Sequence, residues 1–277
     1  MAGLHRQIQG LLHAGRQRHR QARELYRLDA DLLAHASLLL GDLHRHDAAA
    51  AHGSAAQLCA DEAGTSPAVA LSVQAKTERW RMRFASSADL AREGYDCSPA
   101  TPIRILLASQ EANAAALLGD LRRARAALLR AERAGEAVRP DSGVSAWSFP
   151  PPRQALFALS VAIRAQDAAS ALAQASTADA AWASGAARVT GTWAQVRFGA
   201  AIARIMTAYL DGALAEITPV MTLAPEFRMA AITGYTRQID QRLRQRRFLR
   251  DGMAMAIRSQ IQDFHAAALG EPRPGSG

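Results

Sequence analysis

Lysine is nearly missing from this chain: Lys76 stands alone among 33 basic residues, and the others are all arginine. GC-rich coding produces that bias without any functional demand. Against 25 acidic residues it still leaves a net charge of +8 and a pI near 10.6. Such a balance admits an anionic partner, whether nucleic acid, acidic peptide or membrane surface. Cysteine is almost as scarce. Cys59 and Cys97 are too few for a disulfide framework and lack the CxxC spacing of a metal or redox site, so a reducing cytoplasm is the expected location. No run approaches the roughly 18 apolar residues of a membrane span, and His5 and Arg6 interrupt the first ten residues where a signal peptide needs an apolar stretch. Aromatics make up only 5%. With alanine at position after position, that argues against a β-sandwich and for an all-α protein.

Catalytic motifs are missing as well. Lys76–Thr77 resembles the end of a phosphate-binding loop, but residues 69–75 (VALSVQA) contain no glycine to form the backbone nest. His44, His46 and His52 cluster in HRHDAAAAH without HExxH or Cys/His spacing. GxSxG and GxGxxG are both absent, so no catalytic residue, cofactor or metal is expected.

What is present is a phrase: a small-residue helix, a Gly/Asp break, then a second helix of alanines and leucines. NAAALLGDLRRARAALLRAER, from Asn113 to Arg133, is its clearest form, with Leu121, Ala124, Leu128 and Ala131 on one face of the second helix. Breaks are expected near 41, 86, 119, 167 and 212. Their spacing of roughly 33 to 48 residues overlaps the period of tetratricopeptide-type repeats, in which each unit buries its apolar face only against its neighbours. The expected architecture is a right-handed tetratricopeptide-like superhelix of hairpins, an α-solenoid. It divides into a helix and basic lead-in (1–20), a first half of three hairpins (21–138), a proline-rich extended connector (139–152), a second half of two hairpins (153–223), polar capping helices (224–269) and a disordered tail (270–277).

Segment 86–106 imitates a DNA-reading helix-turn-helix, but Pro102 would fall inside the recognition helix and kink it. A different signal sits on the first helices of hairpins, which line the concave surface of such arrays. Lys76, Trp80 and Arg83 share one helix face, as do Trp193, Arg197 and Arg204. Each set offers an indole and two cations, suited to carboxylate-bearing peptide groups. Gln110 and Asn113 are added as readers of a ligand's backbone amides. The competing assignment makes the tryptophans core anchors and the arginines solvated. A second function class, association with nucleic acid, would use the arginines of 16–27 and 237–250.

WSFPPPRQALFALSVAI (147–163), QASTADAAWASG (174–185) and GTWAQVRFGAAIA (191–203), with LLGDLRRARAALLRAE, carry a resemblance. The chain is similar, from about Leu11 to Leu269, to the C-terminal tetratricopeptide-like regulatory region of actinobacterial XRE-type helix-turn-helix transcriptional regulators. In that family a DNA-binding domain precedes the repeats, whereas Met1 here already lies inside the array, so direct DNA binding is not expected of this chain. The resemblance implies a sensor module that takes a protein or peptide ligand or forms a homo-oligomer. Related arrays in peptide-responsive regulators hold short peptides in the concave groove.

Overall fold

The computed structural model describes residues 1–15, 17–138, 146–224, 227–228 and 230–268. Among them are thirteen α-helices and no strand, so the protein is all-α. The chain divides into two compact units, Met1–Pro150 and Pro151–Gly277.

The first unit holds α1 (Ala2–Ala14), α2 (His19–Asp42), α3 (His46–Ala63), α4 (Ala68–Trp80), α5 (Phe84–Cys97), α6 (Pro102–Leu118) and α7 (Leu121–Ala137). Helices α2–α3, α4–α5 and α6–α7 are hairpins. Each second helix also packs on the next first helix, and the first helices α2, α4 and α6 touch one another in series. Large apolar side chains come mainly from the first helices, such as Leu71 and Val73 on α4 and Ile103, Ile105 and Leu107 on α6. The second helices contribute small ones: α7 buries only Ala124, Ala127, Ala131 and Ala134. Trp80 exploits a close approach, since a Cβ on Gly41 would lie 1.7 Å from its ring.

The second unit holds α8 (Pro151–Arg164), α9 (Ala168–Ala183), α10 (Thr190–Met206), α11 (Leu210–Met221), α12 (Ala230–Leu243), a 3-10 turn (Arg246–Phe248) and α13 (Gly252–Ala268). Its core is heavier, built on Leu159, Phe198, Ile202, Ile205, Ile217, Ile232, Ile239 and Ile257. Ile232, Ile239, Leu243, Ile257 and Phe264 belong to that core, so α12 and α13 are not merely a polar cap.

All five hairpins close in one way. A residue in the left-handed region follows the first helix: His44, Met82, Gly119, Gln166 or Ala208. The next amide then bonds the carbonyl five residues back, in Arg45–Leu40, Arg83–Glu78, Asp120–Ala115, Asp167–Ala162 and Tyr209–Arg204, at 2.9–3.0 Å. This is the Schellman stop, which satisfies the last carbonyls of one helix as the next begins. In the first unit it recurs about every 38 residues, within the range of helical-repeat periods.

Three expected breaks therefore move. Gly41–Asp42 and Asp211–Gly212 lie inside α2 and α11, and Ser86–Ser87 sit in the first turn of α5, where Ser87 donates to the Ala75 carbonyl at 2.7 Å. The extended reading of the prolines also fails at its C-terminal end. Pro151 and Pro152 open α8, where a missing N–H costs nothing. Trp147 packs on α2 through His35, with ring centroids 4.8 Å apart, and Phe149 is buried. Residues 139–145 and the expected tail 270–277 lie outside the described residues.

The shared turn predicts opposite effects at two positions. Gly119 has φ 90° and open space where a Cβ would stand, so Gly119→Ala should cost about 1 kcal/mol through backbone strain alone. Ala208 has φ 58°, and Ala208→Gly should gain about 0.5 kcal/mol. Urea unfolding followed by far-UV circular dichroism reads both; equal effects of one sign would contradict the common turn.

Candidate peptide-binding face

The expected contact residues fall into two sets. Lys76, Trp80 and Arg83 belong to α4 and the turn after it, and Gln110 and Asn113 to α6, all in the first unit; Trp193, Arg197 and Arg204 lie on α10 in the second.

In the first unit, Trp80 fills the space over Gly41, stacks with His46 at 5.9 Å and lies under the Lys76 ammonium at 4.5 Å. Lys76 also reaches Asp42 across the hairpins at 3.4 Å. Trp80 is therefore an anchor between α2 and α4 with a cation held above it. Arg83 caps α5, is 64% exposed and sits 3.5 Å from Glu78. Gln110 is committed to the interior: its amide donates to the Ser72 carbonyl at 3.2 Å and its Oε1 accepts from the Ser72 hydroxyl at 3.1 Å. That pair ties α6 to α4, which rules out a role for Gln110 as an amide reader on the surface. Asn113, about one turn further along α6, is half-buried and has no hydrogen bond among the described residues.

On α10 the arginines are spoken for. Arg197 bonds Glu216 of α11 at 2.7 Å and both oxygens of Asp179 on α9 at 2.7 and 2.8 Å, while Arg204 shares Glu216 at 3.1 Å. Trp193 packs against the core under the Arg188 guanidinium, 4.4 Å from its ring. These residues brace three helices together. The first unit contains a counterpart built on Glu111, which is 2% exposed and bonded by Arg123 at 2.9 Å and Arg130 at 2.6 Å. Burial alone would lower the Arg123 pKa, but the hydrogen bonds it donates to Glu111 and Asp89 raise it on balance.

The helix-turn-helix imitation is closed off physically. The would-be recognition helix SPATPIRI does not form: residues 98–101 are not helical and Pro102 opens α6, whose Ile103 and Ile105 are buried. Of the arginines of 237–250, Arg237, Arg244, Arg246, Arg247 and Arg250 are exposed, and several are nonetheless held by partners. Arg244 joins Arg258 on Asp240, Arg247 donates to the Ile205 carbonyl, and Arg242 is half-buried, its pKa lowered first by burial and then by Arg164 and Arg247.

One polar cluster escapes sequence inspection because its members are distant in the chain. Asp29, fully buried, accepts from His5 Nδ1 and Gln9 Nε2 of α1, each at 2.7 Å, and from the Cys59 thiol of α3 at 3.8 Å. Burial, then the neighbouring carboxylate, pushes the Cys59 pKa up to about 11, which makes the thiol a poor nucleophile. The cluster tethers α1 to the stack. No group of three or more His, Cys, Asp or Glu among the described residues is placed to hold a metal, and no described helix is long and apolar enough to cross a membrane. Compared with known proteins, the chain matches no family model and no curated protein.

Three outcomes follow. Arg197→Ser leaves Glu216 and Asp179 without their main partner and should lower stability by about 2 kcal/mol, less than for a fully buried pair, seen as an earlier thermal transition. At pH 8 iodoacetamide should modify exposed Cys97 well before Cys59, whose thiolate fraction is about one in a thousand. His5→Ala should speed Cys59 modification by loosening α1. Equal rates at the two cysteines, read by peptide mass spectrometry, would contradict the buried tether.

Proposed function

We propose that the protein is a non-enzymatic tetratricopeptide-like module that binds a protein or peptide, acting as the sensing part of a transcriptional regulator. The observation that carries this reading is the contact pattern of the first unit. First helices touch first helices in series, whereas no comparable contact joins α3 to α5 or α5 to α7 among the described residues. Stacks of this kind curve with the first helices inside, and solenoids use that inner face for ligands. Beneath it the buried Ser72–Gln110 pair fixes the crossing of α4 and α6. Lys76 and Asn113 each stand about one turn beyond on their own helices, with Trp80 beside Lys76. A half-buried amide, an ammonium and an indole suit an extended peptide, the amide meeting its backbone and the cation a carboxylate. Trp193, Arg197 and Arg204 brace the second unit in this reading. The regulatory assignment rests on the resemblance of the repeats.

Panning random dodecapeptides against the full chain tests this function. Recovered peptides should share a motif, and Asn113→Arg should weaken them about tenfold or more without loss of helicity. Failure to enrich any motif would count against the peptide-binding reading. Duplex DNA in an anisotropy titration should bind weakly and with a steep salt slope; tight, sequence-dependent binding would favour a nucleic-acid-associated regulator instead.

A further inference from the structure

The N-terminal end of the first unit carries an apolar groove apart from the α4–α6 face. About 420 Å³ in volume, it runs between α1 and α2 and is lined chiefly by Leu4, Ile8 and Leu11 on one side and Leu25, Leu28 and Leu32 on the other. Leu4, Leu11 and Leu28 are 53%, 51% and 43% exposed. Leucines at this exposure on two facing stripes form a continuous apolar patch rather than the scattered surface residues any protein shows. The groove is also preformed, because the Asp29 tether fixes α1 from its other side through His5 and Gln9.

Topology says what shape belongs there. Elsewhere in the unit, a second helix packed on the next first helix is accompanied by a third that touches both: α2 lies on α3 and α4, and α4 on α5 and α6. Helix α1 packs on α2 as α3 packs on α4, but among the described residues no third helix completes that triangle. A helix is the element that completes it. From Leu25 to His35 the α2 wall is about 15 Å long, roughly three turns.

Charge says what kind of helix. Residues 1–28 contain Arg6, Arg16, Arg18, Arg20, Arg23 and Arg27 against the single acid Glu24, so much of the excess charge of the chain lies there. A cleft lined by His19, Arg20, Arg23, Glu24 and Arg27 adjoins the groove, the link being Asp31, which lines the groove and accepts from Arg27 at 3.3 Å. Arg27 also donates to Glu24 at 2.6 Å, so the excess positive charge there lies on Arg20 and Arg23. A second copy of this chain would bring like charge to like. We infer that this groove docks an amphipathic, acid-flanked α-helix of a partner protein, with leucine-type side chains at i, i+3 or i+4 and i+7 seated between α1 and α2.

The test uses the full chain and three labelled helical peptides of about sixteen residues. One has a leucine stripe flanked by glutamates, the second has lysines in place of the glutamates, and the third has serines in place of the leucines. Fluorescence anisotropy should show the acidic peptide binding about tenfold or more tighter than either other, less tightly as salt is raised. Leu28→Asp should weaken it about tenfold or more while leaving far-UV circular dichroism unchanged. If that variant fails to fold, Leu28→Gln serves in its place. Equal binding of the acidic and lysine peptides, or no effect of the Leu28 variants, would overturn the assignment. So would light scattering that shows a dimer which Leu28→Asp dissociates, for then a second copy covers the groove.

Discussion

The architecture depends on one backbone constraint, the reversal at the end of each first helix. An amide bonded to the carbonyl five residues back, with one residue forced into the left-handed region, sets where the second helix starts and how it returns. Four of the five reversals use a side-chain-bearing residue there: His44, Met82, Gln166 and Ala208. Each carries about 1–2 kcal/mol of strain that glycine would avoid. The strain persists because packed helices on both sides over-determine the turn.

That constraint governs how charge is used. Once helices return at fixed places on alanine-lined contacts, the long side chains left along the seams have only one another to meet. Hence Glu111 gathers Arg123 and Arg130 in the first unit, and Glu216 gathers Arg197 and Arg204 in the second. Such pairs add little net stability but strongly penalise any arrangement that separates them, so their main effect is on register between helices. Arginine suits the task, since its planar fork spans two carboxylates at once, as Arg197 does with Asp179 and Glu216.

Most of the helices were legible in the sequence because alanine and leucine periodicity survives any turn chemistry; the hairpin around Gly119–Asp120 falls where its phrase places it. The break at Gln166–Asp167 also falls as expected, whereas those near 41 and 212 were misplaced because glycine was taken as punctuation, and that near 86 because paired serines were. Gly41 is small so that Trp80 can pass; the reversal after α2 is set by His44, not by this glycine. The arginine faces were legible as faces but not as partners: that Arg197 and Arg204 converge on Glu216 depends on hairpin geometry no spacing rule contains. Gln110 illustrates the same limit, since its acceptor lies 38 residues away. The Asp29 cluster was invisible for that reason too, assembled from three helices.

A stack made by repeating one turn has a physical consequence at its ends. Each interior helix is covered by neighbours on both sides, so its apolar stripe can be as wide as packing allows without cost to solubility. A terminal helix with the same stripe must be capped by polar residues or covered by something else. In the first unit α1 solves half the problem: its buried Ile8 and the His5–Gln9 tether close one flank of α2, while Leu4, Leu11 and Leu28 are left toward water. Beside them stand Arg20, Arg23 and Arg27 with Glu24 and Asp31, an excess of positive charge in which Arg27 is paired with both acids. Apolar stripes rimmed by unbalanced charge are poor caps and good docking surfaces, because the field selects the partner and the leucines hold it.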